Sequence, residues 1–395
     1  TSIVSSVSPL AAAAVGAQQP RQVGSITHQG LWLALLLALP SVEIMAHLPG
    51  TMALLGQDPS VVALADAYLD VVRWGLLPGL GFAVLRCTVT ALSRSQPIMV
   101  IMVAANLFNM GGNYVFAFGK LGFPAMGIAG LALASALAHG LMFLGLLLYI
   151  GWNLRGSLQS YGLFQGIHKV RWKLMGQLLH LGWPMGLTTT LEHGLFTIMT
   201  FMMGALGTAV LAAHQIALQT VVVAFMVPLA MSYAATVRVG QWFGRGDWAG
   251  VRRAAIASVG LSAGFMAVAA LGLILGAKPL ISLYLDSRDP ANQAVVQIGV
   301  PLLIVAGLGQ VVDGIQRTMN GVLQGLQDTR TPMLLSAIAY WGVGMTVGYG
   351  LGFHTAWGGV GVWAGSYVGL AVAAVAFVWR FWVLLERGQR LVVQP

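Results

Sequence analysis

Apolar residues in this chain gather into long runs, each closed by a few polar or charged residues. The runs centre on 1–17, 31–48, 63–92, 98–118, 126–150, 175–203, 210–242, 254–275, 295–323, 333–351 and 358–385. A bilayer core about 30 Å thick is crossed by a helix of roughly 20 apolar residues. The pattern therefore predicts eleven membrane helices. The first run is short and opens directly at Thr1, so it reads as incomplete. A polar, partly amphipathic connection follows the fifth run. It divides the chain into an N-terminal bundle, 1–150, a cytoplasmic connecting loop, 151–174, and a C-terminal bundle, 175–395.

The two bundles repeat each other. Gly127, Gly130 and Ser135 recur as Gly358, Gly361 and Ser366 within similar surroundings. The stretch 93–99 resembles 328–333, each with a proline (Pro97, Pro332) just before the next run. Gly16 and Ala17 resemble the stretch 244–247 more weakly. The offsets lie between about 228 and 235, too long for a solenoid and suited to duplicated bundles. Six helices fall in the second bundle and five in the first, whose opening helix is expected to be missing. Six helices per half give both halves one orientation, related by a pseudo-twofold along the membrane normal.

Composition supports this reading. Hydrophobic residues make up 57% of the chain and charged residues only 8%, against about 25% charged in a soluble domain. The 51 glycines suit closely packed membrane helices. The net charge of +9 comes from scattered basic residues and forms no nucleic-acid patch. Alternate connections carry Arg21, then Arg94, then Arg155, Lys169, Arg171 and Lys173, then Arg245, Arg252 and Arg253, then Arg330, then Arg387 and Arg390. The opposite set holds only Lys120, Lys278 and Arg288. The basic set belongs in the cytoplasm, and with it the C-terminus. The single Cys87 rules out an internal disulfide and a multi-cysteine metal site. No G-x-x-x-x-G-K-[ST] run is present, so nucleotide drive from this chain is not expected. No hydrolase constellation stands in a polar segment, and the chain is not expected to be an enzyme.

Most acids fall near run ends, where a solvated surface carboxylate is the expected reading. Glu43 lies slightly inside its run. Asp66, Asp70 and Arg73 read as an ion-pair ladder at a helix end. Two acids lie deeper. Glu192 is about 15 residues into its helix, roughly 22 Å, and Asp313 about 13 residues from its helix end, roughly 20 Å. A charge at such depth costs about 2.5–3.5 kcal/mol on insertion scales and points to function. Gln310, Asp313, Gln316 or Arg317, Asn320 and Gln324 are spaced by three or four and share one helix face. Such a face meets either an internal contact, with Arg317 pairing Asp313 one turn away, or a wet cavity. The cavity is preferred, because Glu192 supplies a second unpaired acid at matching depth. Asn106, Asn109 and Asn113 form the comparable stripe in the first bundle. His193 and His214 read as packing histidines. Met199, Met202 and Met203 read as packing that could also line an adaptable pocket.

Several ordered stretches resemble one family. They are Leu181-Gly182-Trp183-Pro184 leading to Glu192, the stretch 211–216 with His214 and Gln215, and Asn109 and Asn113 followed by Gly119, Gly122, Pro124, Gly127 and Gly130. Asp313 followed by Gly321, Gly325, Asp328, Thr329 and Pro332 completes the set. Spread over both halves, they resemble the multidrug and toxic compound extrusion family, nearest its NorM-like branch. The resemblance implies two bundles of six helices around a V-shaped cavity. It implies export of cationic or amphipathic drugs in exchange for Na⁺ or H⁺ by alternating access. It further implies that Glu192 and Asp313 bind the coupling cation and that the Asn109/Asn113 stretch lines the first bundle. Some members place an aromatic one turn before the acid matching Asp313, where this chain has Gly309.

The expectation is an all-α multi-pass antiporter of the cell inner membrane, acting as a monomer on small-molecule drugs. Glu192 and Asp313 hold the ion, a possible Na⁺ site; Asn109, Asn113, Gln310, Gln316 and Asn320 line the substrate cavity. No cofactor beyond the ion is expected. The alternative is a lipid-linked oligosaccharide flippase of related architecture, which would need a cavity rich in basic residues.

Overall fold

The computed structural model describes all residues except 154, 155, 157, 164–168, 287, 288, 394 and 395. The expected basic residues Arg155 and Arg288 lie outside the described residues. The chain is an all-α membrane protein: among the described residues there is no strand, and nine helices are long and apolar enough to cross a membrane. The helix carrying Glu192 is not one of the nine. Glu192, His193 and its threonines dilute its apolar residues.

The helices are α1 (Val7–Gly16), α2 (Pro20–Leu54), α3 (Pro59–Val72), α4 (Leu76–Ala91), α5 (Gln96–Phe118), α6 (Gly127–Asn153) and α7 (Trp172–Ala205). They continue as α8 (Thr208–Gly244), α9 (Trp248–Leu275), the short α10 (Ala277–Ser282), α11 (Gln293–Gly325), α12 (Arg330–Ser336), α13 (Met345–Phe353) and α14 (Gly358–Val393). Local sequence sets their starts. Proline opens α2 and α3, where its missing N–H costs nothing. The Asp58 and Asp247 carboxylates accept the N–H groups of Ser60 and Gly250, each at 2.8 Å, and so cap α3 and α9.

The chain divides into two compact units, Thr1–Gly182 and Trp183–Pro395. In the first, α4 packs against α1, α2 and α6, and α5 lies along α6. In the second, α11 packs against α8, α9 and α14, and α13 lies along α14.

The duplicated motifs adopt matching backbones. Gly127 and Gly358 open α6 and α14 with φ of +55° and +52°. Three residues on, a Cβ on Gly130 would stand 2.6 Å from the backbone carbonyl of Phe116, and one on Gly361 2.6 Å from that of Leu351. Each glycine lets its helix touch the end of the preceding one. The turns after α4 and α11 place Ser93 and Gln327 at φ of +60° and +62°. Both are closed by the same pair of hydrogen bonds, to carbonyls three and five residues back. The weaker match at 16–17 holds as well: Gln18 and Gly246 both have positive φ, with the same closing pattern.

Three runs fold differently from expectation. α2 starts at Pro20, not near residue 31, because polar residues there are buried with partners. The Thr27 hydroxyl meets that of Thr88 at 2.9 Å, and His28 Nε2–H donates to the carbonyl of Leu163 at 2.7 Å. The Gln29 amide donates to the carbonyl of Lys169 and accepts the N–H of Arg171. The run 63–92 is divided by a tight 3₁₀ turn at Arg73–Gly75. The run 333–351 carries a π-helical stretch, Ala337–Gly344. Its wide turn brings Tyr340, fully buried, into the core, while the Trp341 indole donates to the carbonyl of Leu191.

Candidate functional site

The second unit buries its apolar side chains in two clusters. One gathers Leu195, Met319, Leu323, Leu370 and Phe377; the other gathers Met199, Met203, Leu302, Ala306 and Trp363. On α11, Asp313, Gln316 and Arg317 fall between residues of the two clusters, as does Ser366 on α14; on α7, Glu192 falls between Leu191 and Leu195, both packed in the first cluster. Burial of apolar side chains on both sides therefore fixes the position of the polar groups on α11 and α14.

Both deep acids are buried, Glu192 at 8% and Asp313 at 6% exposure. Their surroundings differ. The Glu192 carboxylate accepts from Arg317 Nη1 at 3.0 Å, and the guanidinium lies over the Phe225 ring. This corrects one expectation and the alternative set beside it. Glu192 is not an unpaired acid, and Arg317 pairs with it rather than with Asp313. Helical side chains lean toward the preceding turn, which carries Arg317 back to the level of Asp313, and there α7 presents Glu192. Asp313 makes no ion pair among the described residues. It faces a small cavity of about 20 Å³ lined by Leu195, Phe196, Met199, Val221, Trp363, Ser366, Tyr367 and Leu370. That is on the order of the room one water molecule needs.

Gly309 shapes this cavity. A Cβ there would stand 2.1 Å from the Tyr367 ring. Lacking a side chain, Gly309 admits an aromatic from α14 to the wall beside Asp313.

The rest of the polar face of α11 is buried. Gln310 and Gln316 are fully buried and Asn320 is 2% exposed. The Gln316 amide donates to the Tyr340 hydroxyl, and Asn320 accepts from Gln324 at 2.8 Å. Both amide atoms of Gln310, Oε1 of Gln316, Nδ2 of Asn320 and Nε of Arg317 lack a hydrogen-bond partner. Buried polar atoms are normally satisfied by protein or ordered water. Of the stripe, Asp313 alone lines the small cavity.

His214 is a packing histidine. Its Nδ1 accepts from Trp363 Nε1–H, and Nε2 meets the Thr200 hydroxyl, each at 3.0 Å. His193 is exposed. Met199 and Met203 are buried, and the Ser366 hydroxyl donates to the Met199 sulfur. Met202 lines a separate opening of about 390 Å³ with Ile198, Trp341, Met345, Thr346 and Tyr349. In the first unit, Asn113 donates to Asn109 at 3.2 Å, and Asn109 donates to the Ser135 hydroxyl at 3.3 Å. Asn106 is exposed. Asp70 pairs with Arg73 at 3.1 Å, without Asp66. Glu43 is exposed, as a surface acid should be.

Sequence reasoning missed Asp328 as a structural group. It is no solvated surface acid: its carboxylate accepts from Arg380 Nε at 2.7 Å, with the two side chains 13% and 22% exposed. The signal available was its position between two helices beside a run whose only central charge is Arg380.

Among the described residues no group of three or more His, Cys, Asp or Glu could hold a metal ion. Of the two deep acids, one is already paired with an arginine.

Known proteins resemble this chain over nearly its whole length. The MatE family model matches residues 1–115 and 184–350. The probable multidrug resistance protein NorM of a Synechocystis strain is 51% identical over 99% of this chain and 84% of its own length. The protein of that name from a Synechococcus strain is 43% identical over 100% and 85%. A crystal structure of a MATE protein in the bent conformation superposes with a TM-score of 0.88, covering 100% of this chain and 85% of that one at 17% identity. The eukaryotic MATE transporter AtDTX14 gives 0.84 at 20% identity, covering 99% and 86%. At these identities the structures establish the shared fold, while the family match and the relatives establish kinship: the chain belongs to the MatE family of multi-pass membrane proteins.

Proposed function

We propose that the protein is a secondary active efflux transporter, exchanging cationic or amphipathic drugs for Na⁺ or H⁺ by alternating access. The observation that carries this reading is the contrast between two buried acids. With both ionised, Glu192, Asp313 and Arg317 together hold one net negative charge. Arg317 balances Glu192. Asp313 faces its cavity with no such partner, and an unbalanced charge in a low-dielectric interior is costly. One monovalent cation on Asp313 removes that cost. Empty and loaded states thus differ by one full charge at the junction of α7, α11 and α14, a differential energy that shifts a conformational equilibrium.

In the first unit the proposed drug-binding groups are Asn109 and Asn113; in the second, Gln310, Gln316 and Asn320 are buried and would meet a drug only in a conformation that exposes them. The names of the NorM relatives support drugs as substrates. The protein works in the inner membrane as a monomer, with its C-terminus in the cytoplasm. It catalyses no covalent chemistry and needs no cofactor besides the coupling ion.

The test is efflux of a cationic dye from membrane vesicles, with Na⁺ and pH gradients imposed separately. Asp313→Asn is expected to lower gradient-driven efflux at least tenfold, and the gradient that drives the parent identifies the ion. Parental efflux by Asp313→Asn would sink the proposal.

A further inference from the structure

The first unit holds a second polar cavity, remote in sequence from the acids. It measures about 410 Å³ and is lined by Arg21, Gln22, Ser25, Arg171, Lys173, Leu174 and Gln177. Three of the seven lining residues are cationic, and no carboxylate lines the cavity. The residues come from the first two turns of α2 and α7 and from Arg171 just before α7, so the positive ends of two long helix dipoles lie beside it. Arg171 is held in place: its guanidinium donates to the Ser25 hydroxyl at 3.0 Å and its backbone N–H to Gln29. Arg21 and Lys173 make no ion pair among the described residues. Both side chains are exposed. Like charges gathered around a concavity repel one another, and a phosphate group between them removes that repulsion.

Position adds to chemistry. Pro20 and Trp172 open their helices, so the cavity lies at the level where membrane helices end. Trp172 is 76% exposed, and Trp152, at the end of α6, is 90% exposed. Exposed indoles at helix ends suit the headgroup region of a bilayer. Basic pockets at such ends bind anionic headgroups.

We infer that this cavity binds the phosphate of an anionic phospholipid. Arg21 and Lys173 contact the phosphate, and Arg171 positions the two helix ends through Ser25 and Gln29. The lipid ties the starts of α2 and α7 together at the membrane surface. This inference is independent of the ion site, since it involves no residue of the second unit.

Native mass spectrometry of the whole protein, released from micelles with equal phosphatidylglycerol and phosphatidylcholine, tests it. Retention of phosphatidylglycerol over phosphatidylcholine is expected. With each basic residue near a surface contributing about 1 kcal/mol, the double variant R21Q/K173Q should weaken retention about thirty-fold. R21K/K173R should keep it, which separates lost charge from misfolding. R387Q/R390Q removes the same charge from another exposed segment and should change nothing. No lipid preference, or equal loss in the two glutamine doubles, would overturn the site. Stripping of the lipid by millimolar inorganic phosphate, with phosphate itself retained, would overturn the lipid as ligand and assign the site to a soluble phosphate.

Discussion

The central helices of the two units invite comparison. α4 and α11 each pack against three partners and end in the same positive-φ turn, at Ser93 and Gln327. Counted back from those turns, Asp313 falls opposite Gly79 and Arg317 opposite Ala83. α4 has no carboxylate; α11 carries one at mid-length, against a glutamate from α7. The first unit's comparable polar stripe is neutral instead, the half-buried Asn109, Asn113 and Ser135 chain. Duplication preserved the close approaches and caps, which packing dictates, and left the interior free to diverge. Of the two central helices, α11 alone carries a carboxylate, while α4 carries only the basic Arg86.

Substitutions can break or sharpen that comparison. The largest effect belongs to the ion pair. Arg317→Gln leaves Glu192 buried without a cation and should cost about 3–5 kcal/mol in thermal unfolding from micelles. Adding Glu192→Gln should recover much of the loss, whereas Ala83→Gln in the other unit should produce no comparable coupling to any acid. A double-mutant cycle reads this directly. The matched glycines come next. Gly130→Ala and Gly361→Ala each push a methyl group against a backbone carbonyl 2.6 Å away. Each should cost about 1–3 kcal/mol, and the two costs should agree within about twofold if the copies are energetically equivalent. Unfolding curves that differ by more would show that one copy has relaxed. The smallest effect is a gain. Ser93→Gly and Gln327→Gly relieve a left-handed backbone and should each stabilise the protein by about 1 kcal/mol, seen as a small rise in unfolding temperature.

Periodicity made the helices legible, because a bilayer demands length and apolarity whatever the packing. The duplication was legible too, since its glycines and prolines are fixed by local backbone geometry. The start of α2 was not. Thr27, His28 and Gln29 look like a connection to hydropathy, and only their partners at Thr88, Leu163 and Lys169 make them interior. The two deep acids stood out as charges within apolar runs, but the partner of Glu192 did not. Spacing of four residues favours Arg317 with Asp313, and the outcome turns on how closely α7 approaches α11. Tyr367 was equally hidden, because the empty position at Gly309 says nothing about which helix fills it.

The π-helical stretch at Ala337–Gly344 has a mechanical consequence. A π turn holds surplus backbone, so drawing one residue out of it rotates everything downstream by about 100° without unwinding the helix. Tyr340 bonds Gln316, and Trp341 bonds the carbonyl of Leu191, next to Glu192. Such a twist would exchange which ring meets which neighbour, turning this segment into a ratchet geared to both helices that carry the acids.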